Sequence, residues 1–105
     1  MEGTHRAHRR SEKGRPRLIL FSSPCNPSGS VLTQQELEEL AEVVRRHPGL
    51  YVIADEIYEH IVFEGRHLSF AALPDMAERT ITVNGLSKAF ALTGWRLGYI
   101  GAPLW

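Results

Sequence analysis

A lysine and an arginine lie together in a stretch of small and apolar residues near the end of the chain. Lys88 and Arg96 stand eight residues apart within residues 84–99, and Lys88 is the only lysine after residue 13. We therefore expect its ammonium to be poorly solvated, which would lower its pKa and let the amine attack a carbonyl. The guanidinium of Arg96 keeps its charge and offers a planar fork that suits a phosphate.

The same two side chains also have an ordinary structural interpretation. A lysine can bury its aliphatic stem while the ammonium stays in water, and an arginine can be purely structural. In the functional interpretation, Lys88 anchors a carbonyl and Arg96 clamps a phosphate, which are two requirements of a pyridoxal phosphate site. This stretch alone favours neither interpretation.

Three short segments have the composition of strands. Residues 18–21 (Leu-Ile-Leu-Phe) and 51–54 (Tyr-Val-Ile-Ala) are apolar runs, typical of strands buried on both faces of a parallel sheet. Residues 80–83 (Thr-Ile-Thr-Val) form an alternating run that leads into the lysine stretch. We expect irregular structure over residues 60–76, with a helical turn near residues 69–72, and a further strand over residues 95–101.

A helix is predicted between the first two strands. Thr33 and Glu36 form a Thr-x-x-Glu capping box, and Pro48 with Gly49 ends the helix. Its apolar stripe consists of Leu37, Leu40, Ala41 and Val44. A strand, a helix and a strand in this order predict two parallel strands.

Polar residues follow the predicted strands at their carboxyl ends, where open α/β sheets bind ligands. Asn26 lies in a turn after the first strand, and Asp55 and Tyr58 follow the second. Asn26 could instead make a local Asx turn, Asp55 could be an N-cap or a surface carboxylate, and Tyr58 could be a core aromatic with a hydrated hydroxyl. Glu56 and Glu59 are expected to be solvated.

Composition indicates a globular chain with a basic N-terminal arm. Of 105 residues, 43% are hydrophobic and 23% are charged. Residues 1–17 hold six basic and two acidic side chains without apolar periodicity, so we expect a disordered arm that binds no nucleic acid. No run is long enough to cross a membrane. The single cysteine, Cys25, fits a cytoplasmic chain, and we expect no metal site.

Four motifs together carry a family resemblance. They are Asn-Pro-Ser-Gly at 26–29, Asp-Glu-Ile-Tyr at 55–58, Gly-Leu-Ser-Lys at 85–88 and Thr-Gly-Trp-Arg-Leu-Gly-Tyr at 93–99. Over about residues 17–103 the chain resembles the large domain of class I/II aminotransferases, fold-type I pyridoxal phosphate enzymes similar to aspartate aminotransferase. The resemblance implies an α/β fold: a partial three-layer α/β/α domain over residues 18–105 with a mostly parallel sheet.

The resemblance also implies roles for individual residues. Lys88 would hold pyridoxal 5'-phosphate as an aldimine and move the proton between the substrate and the cofactor. Asp55 would pair with the ring nitrogen, and Tyr58 with Asn26 would bind the ring 3'-oxygen. The remaining cofactor-binding residues would be Ile57 against the ring, and Ser87 and Arg96 near the phosphate. The reaction would be amino transfer between an amino acid and a 2-oxo acid.

The chain departs from the family pattern in two respects. Many relatives have a serine three residues before the lysine, where this chain has Gly85. The upstream glycine loop and the arginine that binds the substrate carboxylate have no counterpart, so we expect a fragment that is inactive by itself. Full-length homologues are expected to be homodimers. A non-catalytic pyridoxal phosphate sensor, an interaction fragment or a carbon–sulfur lyase are the alternative functions.

Overall fold

The computed structural model describes residues 14–104, which form a four-stranded sheet with one main helix. The strands are β1 (Leu18–Ser22), β2 (Tyr51–Asp55), β3 (Thr80–Gly85) and β4 (Gly98–Gly101), in that spatial order. The first three are parallel, and β4 runs antiparallel to β3. Helix α1 (Gln34–Arg46) joins β1 to β2, and the short helix α2 (Leu86–Ala89) follows β3. This arrangement confirms a mostly parallel α/β fold.

Helix α1 begins and ends where the sequence predicts. The Thr33 side chain accepts a hydrogen bond from the Glu36 amide at 3.3 Å, and the Glu36 carboxylate accepts one from the Thr33 amide at 2.8 Å. The helix ends at Arg46, directly before the segment that contains Pro48 and Gly49. The capping box thus satisfies two of the backbone amides that the first turn leaves without partners.

The core lies between α1 and one face of the sheet. The fully buried residues Val52 and Ala54 alternate along β2, and register pairs them with Ile19 and Phe21 on β1. The ring of Phe70 is fully buried and meets Phe21 edge-on at 5.5 Å between centroids. The remaining buried core residues are Leu37, Ala41, Val44, Leu50, Leu73 and Met76.

The prediction that the first strand is buried on both faces is wrong. Leu18 is 51% exposed and Leu20 is 69% exposed, whereas Ile19 and Phe21 pack against the core. The reason is that β1 is an edge strand of the described sheet and α1 covers only one of its faces. The last strand is also shorter than predicted, because residues Thr93–Trp95 form a 3-10 turn before β4.

Three further predictions concern a helical turn, a membrane span and the N-terminal arm. A 3-10 turn at Phe70–Ala72 confirms the helical turn expected near residues 69–72. Within residues 14–104, no helix combines the length and the hydropathy that a membrane span requires. The predicted N-terminal arm, residues 1–17, lies almost wholly outside the described residues and stays a prediction.

Arg79 closes the C-terminal end of α1, a role that the sequence analysis did not identify. Its guanidinium donates to the carbonyl oxygens of His47 at 2.7 Å, Leu50 at 3.0 Å and Val44 at 3.3 Å. The guanidinium carbon also lies 5.6 Å from the ring centroid of Tyr51. A cation is well placed here, since it faces the negative end of the helix dipole and adds a charged donor to the amide hydrogen bonds that Val44 and His47 already accept.

We expect Arg79→Met to destabilise the chain by at least about 2 kcal/mol, because several carbonyl oxygens lose a charged donor while the apolar stem is kept. The free energy of unfolding would be measured by urea denaturation with circular dichroism. The control is Arg46→Met on the exposed side of α1, for which a change within about 0.5 kcal/mol is expected. Equal losses in the two variants would show that the Arg79 contacts contribute nothing specific.

Candidate functional site

The loops after β1 and β2 meet at one edge of the sheet. The loop after β1 is held by two backbone hydrogen bonds, from Gly29 to the Cys25 carbonyl at 2.8 Å and from Cys25 to the Ser30 carbonyl at 3.0 Å. From this loop the amide of Asn26 donates to the hydroxyl oxygen of Tyr58 at 3.1 Å. The Asn26 side chain therefore reaches the neighbouring loop, which supports the ligand-facing interpretation over a local turn.

Asp55 is the last residue of β2 and is half-buried. Its carboxylate accepts a hydrogen bond from the Ile57 amide at 3.1 Å, so it stabilises the turn that carries Tyr58. The backbone around it is fixed on both sides, because Ser23 donates to the Asp55 carbonyl at 3.1 Å and Glu56 donates to the Val83 carbonyl at 2.9 Å. The N-cap interpretation of Asp55 is wrong, because a turn and no helix follows it directly. Its carboxylate lies at the carboxyl end of a central strand.

Lys88 lies on α2, directly after β3, and its Nζ is 5.8 Å from the ring centroid of Tyr58. The prediction that this lysine is poorly solvated is wrong, because the residue is exposed. The small and apolar neighbours in the sequence do not surround the ammonium, since Phe90 is itself 62% exposed. What brings the amine to the Tyr58 ring is the position of α2 at the end of the sheet.

Ser87 and Arg96 are joined through the 3-10 turn between α2 and β4. The Thr93 hydroxyl donates to the Ser87 carbonyl at 3.2 Å, and the Arg96 guanidinium donates to the Thr93 carbonyl at 3.4 Å. Arg96 has left-handed backbone angles, with φ of 54° and ψ of 42°. Arg96 lies two residues before Gly98, which pairs with Gly85 at the end of β3. It is therefore near the end of the sheet from which Lys88 extends.

Gly85 is enclosed where β3 passes into α2. A Cβ atom at this position would lie 3.0 Å from Cδ1 of Ile57 and 3.0 Å from the backbone oxygen of Leu97. The Ile57 side chain therefore packs directly against the backbone that precedes Lys88. A serine at this position, as in the family pattern, would require Ile57 or the Leu97 backbone to shift.

Four side chains beside this edge form what we call the buried polar cluster: Glu56 and Asn84 are buried, and Glu59 and His67 are partly buried. Glu56 is only 2% exposed, so the prediction that it is solvated is wrong. It accepts hydrogen bonds from the Phe70 amide at 3.0 Å and from His67 Nε2 at 3.3 Å. Carboxylate oxygens of Glu56 and Glu59 and a ring nitrogen of His67 lie within 4.8 Å of one another. Hydrogen bonds join Glu56 to His67 and Glu59 to Asn84. The residue types in the sequence do not by themselves predict this cluster.

An open cleft of about 520 Å³ adjoins the Asn26–Tyr58 pair. Its walls come from the loops after β1 and β2 and include the apolar side chains of Val31, Ile61 and Phe63. Cavities of a few hundred Å³ with apolar walls and a few polar groups are typical of small-molecule sites. Asn26 and Tyr58 line this cleft, whereas Asp55, Lys88 and Arg96 are not among its lining residues.

Known proteins resemble this chain closely. The family model described as aminotransferase class I and II matches residues 1–104. The bifunctional aspartate aminotransferase and glutamate/aspartate-prephenate aminotransferase of Petunia hybrida is 61% identical over 83% of this chain. An aspartate aminotransferase of Pyrococcus abyssi is 53% identical over 85% of it. The aromatic aminotransferase of Pyrococcus horikoshii superimposes with a TM-score of 0.80 at 57% identity over 83% of this chain.

The matches also define how much of a relative this chain corresponds to. It covers 18% of the Petunia protein, 23% of the Pyrococcus abyssi protein and 23% of the solved Pyrococcus horikoshii chain. The chain therefore spans less than a quarter of the length of these relatives.

We expect Gly85→Ser to lower the free energy of unfolding by about 1–3 kcal/mol, because the added atoms overlap Ile57 and the Leu97 carbonyl. Urea denaturation measures the loss. Gly94→Ser is the matched control, since a Cβ at Gly94 meets nothing within 4 Å. If the two serine variants unfold at the same urea concentration, the enclosure of Gly85 is not a constraint in solution.

Proposed function

Because the chain belongs to the class I and II aminotransferase family, we propose that it carries the cofactor-binding segment of a pyridoxal phosphate-dependent transaminase. The whole protein would transfer an amino group between an amino acid and a 2-oxo acid. The observation that supports this proposal most strongly is the meeting of three strand ends: Asn26 lies 3.1 Å from the Tyr58 hydroxyl, and Lys88 Nζ lies 5.8 Å from the Tyr58 ring.

The polar groups at this edge fit the hydrogen-bonding pattern of pyridoxal phosphate. The Asn26 amide and the Tyr58 hydroxyl can both donate to one acceptor oxygen, as the phenolic oxygen of the ring requires. The Asp55 carboxylate can hold a protonated ring nitrogen by charge pairing. When bound, the cofactor supplies a conjugated ring that accepts the electron pair released at the substrate α-carbon.

Two charged side chains would bind the cofactor, Lys88 at its aldehyde and Arg96 at its phosphate. Lys88 is exposed on a flexible four-carbon stem, so its amine can reach the cofactor aldehyde and can carry a proton from the substrate α-carbon. Arg96 is exposed and forms no ion pair within residues 14–104, which leaves its guanidinium open to a phosphate.

Two neighbours complete the proposed site. Ser87 precedes the lysine and is a candidate phosphate ligand, and Ile57 provides an apolar side chain beside Gly85 for one face of the ring. We further propose that the protein acts in cytoplasmic amino-acid biosynthesis as a homodimer. The family and the single free cysteine, Cys25, support this setting.

Reduction with borohydride in the presence of pyridoxal phosphate should attach the cofactor to Lys88, because this amine lies beside the proposed ring-binding groups. Peptide mass spectrometry would identify the labelled residue. The chain has one other lysine, Lys13, which serves as an internal measure of nonspecific labelling.

The matched variants are Lys88→Arg, which keeps the charge but cannot form the imine, and Lys88→Ala. Both should lose the label while Lys13 keeps its background level. Equal labelling of Lys13 and Lys88 in the unaltered chain would contradict the proposal for this segment.

Arg96→Met should remove the preference of the chain for pyridoxal phosphate over pyridoxal, because only the former has a phosphate. A hydrogen bond to a charged group contributes about 1.5–3 kcal/mol, so the affinity ratio should fall by roughly tenfold to a hundredfold. Competition between the two aldehydes during borohydride trapping gives the ratio. Arg66→Met, in an exposed loop, is the control; an unchanged ratio in Arg96→Met would show that Arg96 does not bind the phosphate.

A further inference from the structure

The contacts that Tyr58 and Lys88 make themselves are too weak to fix the distance between the two side chains. The Asn26–Tyr58 hydrogen bond is exposed, and Lys88 is itself exposed. Exposed polar contacts contribute little to rigidity, since water competes for both partners. The two side chains nevertheless come from separate segments, the turn after β2 and helix α2 after β3. The pairing of β2 with β3 and the contacts directly beyond it must therefore hold those segments at this spacing.

Asn84 connects the two segments with both ends of its side-chain amide. Its nitrogen donates to a carboxylate oxygen of Glu59 at 2.6 Å, and its oxygen accepts a hydrogen bond from the Gly85 amide at 2.8 Å. Asn84 is 6% exposed and its bond to the Gly85 amide is buried, whereas the Glu59 side chain is 29% exposed, so the Glu59–Asn84 bond is partly shielded from water. Glu59 directly follows Tyr58, and Gly85 directly precedes the helix that carries Lys88. The amide thus bridges the two segments through one buried residue.

Glu56 fixes the segment after β2, which is one of the two segments that Asn84 connects. Its buried carboxylate accepts from the Phe70 amide at 3.0 Å and from His67 Nε2 at 3.3 Å, and its own amide donates to the Val83 carbonyl at 2.9 Å. The Glu59 amide in turn donates to the Glu56 carbonyl at 2.9 Å. The turn that holds Tyr58 is therefore fixed to the core and to β3 at Glu56, and a second time to β3 at Glu59.

We propose that Glu59 and Asn84 are positioning residues: their partly buried hydrogen bond sets the distance between the Tyr58 ring and the Lys88 amine. The inference rests on the proposed function for its purpose, but the distance itself exists without a cofactor. Loss of the bond would leave the Tyr58 turn held to β3 at Glu56 alone, while Asn26, Tyr58 and Lys88 stay chemically intact.

The decisive experiment exchanges the hydrogen-bond donor and acceptor between residues 84 and 59. Asn84→Asp removes the donor and places a second carboxylate against Glu59, while the acceptor for the Gly85 amide is kept. The double variant Asn84→Asp/Glu59→Gln restores the bond, because the new glutamine amide donates to the new aspartate. Glu78→Gln is the control for removing one exposed carboxylate from the chain.

The first measurement needs no cofactor. Lys88 lies over the Tyr58 ring, so the ring current shifts the NMR signal of its ε-methylene protons, which Lys88→Arg identifies by its loss. Asn84→Asp should move this signal to the position of a free lysine, and the double variant should return it. Glu59→Ala removes the acceptor without adding a charge and should move the signal in the same way. It takes the place of Asn84→Asp if that variant fails to fold.

The second measurement is the rate of borohydride trapping of pyridoxal phosphate at Lys88, with the free energy of unfolding recorded for every variant. We expect a several-fold slower rate in Asn84→Asp and recovery in the double variant. A loss of stability with an unchanged Lys88 signal and an unchanged rate would overturn the inference and leave Asn84 a structural residue. Failure of the unaltered chain to trap the cofactor would instead contradict the proposed function, and the NMR result would still decide the positioning role.

Discussion

Parallel pairing of β1, β2 and β3 is the constraint on which the candidate site depends. Parallel strands in register bring their carboxyl ends to one edge of the sheet, so the segments after Ser22, Asp55 and Gly85 leave it side by side. Helix α1 makes this pairing possible, because two parallel strands need a crossover between them. Residues that are distant in the chain, such as Asn26 and Tyr58, meet for this reason.

Local signals in the sequence determine most of the fold that the structure describes. The capping box at Thr33, the apolar stripe of α1 and the strand–helix–strand order are short-range patterns, and each predicts its element correctly. The positions of Asn26 and Tyr58 at strand ends follow from the same order. The burial of Glu56 and the exposure of Lys88 could not be predicted, since burial depends on which distant segments pack there.

The buried polar cluster illustrates how a charged residue comes to lie in a core. A carboxylate out of water is costly unless donors surround it, and Glu56 receives the Phe70 amide and His67 Nε2. Such a network is directional, unlike apolar packing, and it permits one arrangement of the segments that supply its members. The chain therefore combines an apolar core under α1 with a polar junction beside the sheet edge.

The exposed apolar side chains of β1 affect how the chain behaves in concentrated solution. Leu18 and Leu20 are half or more exposed on a strand whose outer edge carries no partner within residues 14–104. Unpaired edges with apolar side chains act as templates for strands of other molecules. Together with β4, the other outer strand of the described sheet, β1 is therefore a place where a strand of a second molecule can pair.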